Sequence, residues 1–208
     1  MARRAGAPEV SAGSMADIAF LLLIFFLVTT TIETDAGLDR MLPPMEPPTE
    51  QDVIVKQKNI FQVSINKSGQ LLADGELIQL NQLREKATAF LDNGGAPSGT
   101  EDYCKYCKGK RDASSSDSPS KAIISVKSDR ETKYSTYITV QNELVGAYND
   151  LRDRESQRLY KKDFTAMEAE YLNPETDKDV KEELKEKVKR IQALFPQKLS
   201  EAETSTSN

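Results

Sequence analysis

The chain has 208 residues, 29% of them charged, and a formal net charge of −5. It contains no histidine, which excludes Ser-His-Asp triads, most zinc enzymes and c-type haem attachment. The acidic balance also argues against a nucleic-acid partner, because nucleic-acid binding needs a concentrated basic face.

One apolar stretch stands out near the N-terminus. Ile18–Val28 is an unbroken hydrophobic run, and no charged residue follows it until after Ile32. At about 1.5 Å per residue, a helix over residues 15–32 is roughly 27 Å long, which approaches the thickness of the bilayer hydrocarbon core. We therefore predict a transmembrane helix over 15–32, preceded by a short polar arm over 1–14.

Asp17 lies at the start of this run. A carboxylate inside a membrane helix costs roughly 2.5–3.5 kcal/mol at the centre and less near the edge, so it needs a reason to be there. It could take up and release protons in an apolar setting, or it could sit hydrated at the headgroup level. Small residues, among them Ala16, would allow a second helix to approach closely. Helical spacing places four residues on the face of Asp17: Leu21, Ile24, Val28 and Thr31. Thr31 could help line a hydrated path or bond back to its own helix.

The charges that flank the run indicate its orientation. Arg3 and Arg4 precede it, whereas Glu33 and Asp35 follow it. The positive-inside rule then places the N-terminus in the cytoplasm and the larger part outside, which in a bacterium is the periplasm. The alternative is a cleaved signal peptide with a small-residue site near residues 34–36. The long preceding arm and the early carboxylate favour the anchor.

Residues 33–58 are predicted to be a periplasmic linker, extended because two Pro-Pro pairs fix the backbone. Residues 59–208 are predicted to form a small α+β domain of two layers, with helices packed on a short mixed sheet. Its first elements are a strand over 60–65, a return strand over 70–72 and a helix whose apolar face runs from Leu80 to Leu91.

The second half of the domain begins with a Ser- and Gly-rich segment over 96–120, which predicts a mobile insertion. A buried strand over 122–126 and a helix from about Tyr134 follow. A C-terminal helix is expected over about 179–195, capped by Asp177 or Asp179, with a last short strand over 198–200.

Cys104 and Cys107 form a Cys-Lys-Tyr-Cys motif inside the insertion. The motif does not follow a strand, as it would in a thioredoxin-like site, and no further Cys or His is present to complete a zinc site. A local disulfide is the simplest interpretation, and a metal shared across a dimer is the other.

Residues 14–29 (SMADIAFLLLIFFLVT) resemble the transmembrane signature of the ExbD/TolR biopolymer-transport family. The plan of arm, helix with an early aspartate, Leu-Pro linker and small periplasmic domain is similar too, as far as about Leu151. The length and tail are most similar to Bacteroidetes-type members. The resemblance implies that Asp17 is the proton-carrying residue, with protons as the coupling ion and no other cofactor. It also implies a linker motif, only partly matched because Arg40 takes an apolar slot; its residues here are Leu38, Leu42 and Pro43.

The same resemblance implies a non-enzymatic subunit of the inner membrane. Two copies would act as a homodimer inside a ring of ExbB/TolQ-like multi-span subunits, and would pass work to a TonB/TolA-like envelope-spanning partner. Ser14, Met15 and Ala16 depart from the Pro-Phe-Ile approach that is usual before the aspartate. The competing interpretation is a passive periplasmic binding domain, membrane-anchored or secreted, for example one that contacts the cell wall.

Overall fold

A computed structural model describes residues 12–29 and 56–202. Contacts divide the chain into two compact units, Met1–Asp39 and Arg40–Asn208. Most of the predicted arm and most of the predicted linker lie outside the described residues. So do Thr31 and the three residues of the linker motif, Leu38, Leu42 and Pro43. Residues 12–14 of the arm belong to the first helix.

The first unit contains one described helix, α1, over Ala12–Thr29. The side chains from Gly13 to Phe26 are exposed in the isolated chain. Among the residues that the structure describes, no helix has the length and apolar character needed to cross a membrane. The end of the predicted span, up to Ile32, lies beyond this part of the chain.

A five-stranded mixed sheet forms one layer of the second unit. The strand order is β3-β2-β1-β4-β5, with β1, β4 and β5 parallel and the β1-β2-β3 meander antiparallel. A single 3-10 turn, Gln57–Asn59, leads into β1. The strands are β1 Ile60–Ile65, β2 Leu71–Ala73, β3 Glu76–Ile78, β4 Ile123–Ser128 and β5 Leu199–Glu201. The predicted mixed sheet is thus confirmed.

The sequence predicts β1 correctly and places β2 one residue early, but it misses β3. Asp74 and Gly75 join β2 to β3 with positive φ at both positions, 48° and 85°. Two such residues form the turn that matches the twist of a tight hairpin. The Asp-Gly pair therefore starts a further strand, rather than ending the meander at β2.

Two helices cover one face of the sheet. Helix α2 spans Leu80–Leu91 and α3 spans Tyr134–Tyr160. Alternate residues of β1 are buried beneath them, as the pleat requires. The predicted apolar face of α2 is buried except at Leu80, which is 37% exposed. The largest side chains of this core include Phe61, Leu83, Leu91, Ile124, Leu144 and Tyr148.

Two further helices pack against the second half of α3. These are α4, Phe164–Leu172, and α5, Lys178–Leu194. The predicted C-terminal helix is α5, and the Asp177 carboxylate caps it by accepting a hydrogen bond from the Asp179 amide at 2.9 Å. The sequence misses α4. Their own small core consists of Phe164, Met167, Leu184, Val188 and Ile191.

The segment over 96–120, for which the sequence predicts mobility, contains no helix or strand but is packed against the domain. The Asn93 side chain donates hydrogen bonds to the carbonyls of Asp112 and Ser116, both at 2.8 Å. Asp117, within the segment, is buried and accepts a hydrogen bond from Asn59. These contacts hold the segment along the start of β1 and the end of α2.

Candidate functional site

Asp17 lies in the second turn of α1, immediately before the apolar run. The helix places it on one face with Leu21 and Ile24, which are 58% and 41% exposed. Val28 belongs to the same helix, but its side chain is outside the described part, as is Thr31. The structure therefore supports the predicted helical face as far as Ile24.

The surroundings of Asp17 are apolar on every side of α1. Large apolar side chains that are more than half exposed point in all directions around the helix: Met15, Ile18, Phe20, Leu22, Leu23, Phe25 and Phe26. A helix that is hydrophobic all round needs an apolar environment, either lipid or other helices. Gly13, Ala16 and Ala19 interrupt this surface beside Asp17 and leave room for a close helix neighbour. The Asp17 carboxylate is thus an ionisable group near the N-terminal end of a largely apolar helix.

The second unit contains ion pairs and buried hydrogen bonds that the sequence did not predict. Arg154 binds Asp92 with two hydrogen bonds, Nη1 to Oδ2 at 2.6 Å and Nη2 to Oδ1 at 2.8 Å. Asp92 ends α2 and Arg154 lies on α3, so the pair ties the two covering helices together. No local spacing signals a pair that is 62 residues apart.

A second polar contact fixes the insertion. Lys58 forms an ion pair with Asp117 at 2.6 Å, and the Asn59 side chain donates to the same carboxylate at 3.2 Å. Burial alone would raise the pKa of Asp117. The hydrogen bonds and the charges of Lys58 and Lys56 outweigh it, so the pKa is lowered. Asp117 is therefore a structural anion rather than a proton carrier.

A third contact joins α3 to the C-terminal part. The Arg152 guanidinium is buried and donates to the Phe195 carbonyl from Nε and Nη2 at 3.1 and 2.9 Å. The Glu155 side chain, one turn further along α3, is fully buried, and its Oε2 lies 2.7 Å from Nε of Arg158. These groups satisfy buried charge inside the fold, which is a structural role.

Cys104 and Cys107 are joined in a disulfide, and both residues are buried. Tyr106 lies between them, and its pKa is raised to about 12, first by burial and then by the nearby charges of Glu155 and Asp92. Within residues 12–29 and 56–202, no group of three or more His, Cys, Asp or Glu side chains could hold a metal ion.

Comparison with models of protein families identifies a match. A family model described as "Biopolymer transport protein ExbD/TolR" matches residues 3–151. The matched range contains α1, α2, β1 to β4 and most of α3. It ends one residue before Arg152, so α4, α5 and β5 lie beyond it. No curated protein matches the chain.

Proposed function

Because the chain belongs to the ExbD/TolR family of biopolymer transport proteins, we propose that it is the proton-carrying subunit of an inner-membrane complex that energises transport or envelope processes. Members of this family support biopolymer transport and are not enzymes. The observation that carries the proposal is the Asp17 carboxylate at the N-terminal end of an apolar helix.

The proposed topology follows from the flanking charges. Arg3 and Arg4 remain in the cytoplasm, residues 15–32 cross the inner membrane, and the domain lies in the periplasm. Asp17 is then near the cytoplasmic end of the span. Residues 33–58 connect the span to the domain and transmit force between them.

The proposed chemistry is reversible protonation of Asp17. Charged, a carboxylate costs roughly 2.5–3.5 kcal/mol at the centre of the apolar layer and less near its edge, where Asp17 would lie, and protonation removes most of that cost. The charged form therefore favours an aqueous path, and the neutral form tolerates an apolar surface. A membrane potential adds about 2.3 kcal/mol per charge for each 100 mV, which is enough to drive the alternation in one direction.

The proposed partners supply what a single helix lacks. An ExbB/TolQ-like ring of multi-span subunits provides an apolar enclosure for α1 with aqueous access to Asp17. A homodimer places a second α1 beside the first, and Gly13, Ala16 and Ala19 permit close contact near the carboxylate. Protonation then biases the position of the helix pair within the ring, and that bias is the mechanical output.

The periplasmic domain passes this output to a TonB/TolA-like partner. A domain that transmits force must resist deformation, and in this one buried hydrogen bonds join elements that are distant in sequence. Asp92 and Arg154 join its two sheet-covering helices, and Arg152 joins α3 to Phe195.

The test replaces the chain in its host by Asp17→Asn, which retains size and hydrogen bonding but cannot exchange a proton as a carboxylate does. Asp35→Asn is the matched control, since it makes the same change in the linker. We expect loss of uptake that depends on proton motive force for Asp17→Asn and normal uptake for Asp35→Asn at equal protein levels. Normal uptake with Asp17→Asn would favour the passive binding domain. Loss of residues 1–36 from the mature protein would favour the secreted form.

A further inference from the structure

The disulfide loop contacts the C-terminal end of the domain through Tyr106. The Tyr106 hydroxyl donates a hydrogen bond to the Leu194 carbonyl at 2.7 Å. Its ring packs edge-on against Phe195, with 5.4 Å between the ring centroids. We call residues 194–201, from the end of α5 through β5, the C-terminal segment. One side chain therefore joins the loop over 96–120 to this segment.

The disulfide determines where Tyr106 can lie. Cys104 and Cys107 flank Tyr106, and both are buried. The Arg111 guanidinium donates to both cysteine carbonyls, at 3.1 and 3.2 Å, and so ties the small ring together from outside. A Cβ added at Gly94 would lie 2.7 Å from the Cys107 Cβ, so the ring also fits closely against the end of α2. The loop leaves Tyr106 little freedom while the sulfurs are joined.

The C-terminal segment is held by α3 as well as by the loop. Arg152 donates two hydrogen bonds to the Phe195 carbonyl, and the Lys198 amide donates to the Tyr148 hydroxyl at 3.3 Å. Strand β5 has only three residues, and within the described part of the chain it pairs with β4 alone. The loop supports it a second time through Ser120, whose carbonyl accepts a hydrogen bond from the Lys198 ammonium at 2.5 Å. Short edge strands open locally at low cost. The contacts from the loop lie just before β5, at Leu194, Phe195 and Lys198, and they add to those from α3.

We propose that the Cys104–Cys107 disulfide is a redox-dependent clamp that holds the C-terminal segment on the domain. A dithiol reductant opens the clamp: one thiolate attacks a cysteine sulfur, and its second thiol then resolves the mixed disulfide. The reductant leaves as a disulfide, and Cys104 and Cys107 gain two electrons and two protons as thiols. Tyr106 is then free to leave Phe195, and the edge of β4 becomes exposed when β5 opens. The inference does not rest on the proposed function.

The experiment is hydrogen exchange on the full-length protein in detergent, oxidised and after treatment with dithiothreitol. Two amide hydrogens that join the strands serve as reporters: Ile124 donates to the Lys198 carbonyl, and Ala202 donates to the Val126 carbonyl. We expect their exchange to be at least about tenfold faster in the reduced protein, because one hydrogen bond and one aromatic contact are lost. The Cys104→Ser/Cys107→Ser double variant should match the reduced state. The β2–β3 hairpin, residues 71–78, serves as the internal reference and should not change.

Two variants test whether the disulfide holds the C-terminal segment through Tyr106 or stabilises the whole domain. Tyr106→Ala should accelerate exchange in the C-terminal segment while the disulfide stays oxidised. Lys105→Ala is the control, because Lys105 lies between the same two cysteines and is exposed. Equal acceleration of the hairpin on reduction would overturn the proposal, since the disulfide would then stabilise the whole domain. Unchanged exchange at Ile124 and Ala202 in Tyr106→Ala would overturn it as well.

Discussion

The Arg154 guanidinium donates two hydrogen bonds to the Asp92 carboxylate, from Nη1 and Nη2, and the Asp92 side chain is only 10% exposed. The exposed Arg84–Asp150 pair also has two hydrogen bonds, donated from Nε and Nη2, and its carboxylate side chain is 47% exposed. The two pairs join the same two helices. Their difference in burial makes them a useful comparison.

Asp92→Asn should lower the free energy of unfolding by about 1.5–3 kcal/mol, because a partly buried guanidinium loses its charged acceptor. Asp150→Asn should cost at most about 1 kcal/mol, since water replaces the exposed partner. Urea unfolding of the full-length protein in detergent measures both. Equal losses would mean that burial does not govern the strength of these pairs.

The Asp117 carboxylate should make stability depend on pH in the acid range. Its pKa in the folded protein is lowered from the ordinary 3.8, so its contribution is complete above that value. The contribution is lost as the pH falls through the lowered folded pKa. The stability difference between the natural chain and Asp117→Asn should therefore be constant near neutrality and shrink below the ordinary value.

Unfolding midpoints across this pH range provide the test. Asp102→Asn is the control in the same segment, because Asp102 is more exposed and lies 3.5 Å from Lys121. Its stability difference should be small throughout. A constant difference for Asp117→Asn down to the lowest pH would contradict the assigned role of this carboxylate.

The Tyr106 hydroxyl should stabilise the fold until strongly alkaline pH. Its pKa is raised to about 12 in the folded protein, from an ordinary 10.0, so the neutral phenol is favoured by folding. Stability should fall as the pH rises between these two values. Tyr106→Phe keeps the ring on Phe195 but removes the donor to Leu194, which should cost about 1 kcal/mol at neutral pH and abolish this part of the alkaline dependence. An unaltered alkaline profile in the variant would show that other groups cause it.

A membrane-permeant carbodiimide should modify Asp17 selectively in native membranes. Such reagents react with protonated carboxyl groups in apolar surroundings, where the protonated form is favoured. Mass spectrometry of the labelled peptide should find the adduct on Asp17 and none on Glu33 or Asp35, which follow the proposed span. Labelling that is equal at all three positions would place Asp17 in water.

The sequence predicted the elements that follow from local patterns alone. Strand β1, the buried face of α2 and the Asp177 cap of α5 follow from alternation, helical spacing and capping preferences. The sequence missed helix α4 because its first amides are capped from another helix. Asp153 on α3 accepts hydrogen bonds from the amides of Phe164 and Thr165. No local pattern reveals a cap that comes from a distant residue.

The candidate site remains a prediction. Asp17, Leu21 and Ile24 lie in one helix at spacings that put them on one face, but the roles predicted for them are not tested by that geometry. The role in proton transfer that we propose for Asp17 rests on family membership and on the cost of a carboxylate in an apolar layer. The braces formed by Asp92 and Arg152 could not be predicted, because their partners are brought together only by the fold.

Proton flux tests the central claim most directly. The chain is purified with the proposed multi-span partner and reconstituted into vesicles, and flux is driven by an imposed membrane potential. We predict flux for the natural chain and for Asp35→Asn, and none above empty vesicles for Asp17→Asn at equal incorporation. Equal flux in Asp17→Asn and the natural chain would contradict a proton-carrying role for Asp17.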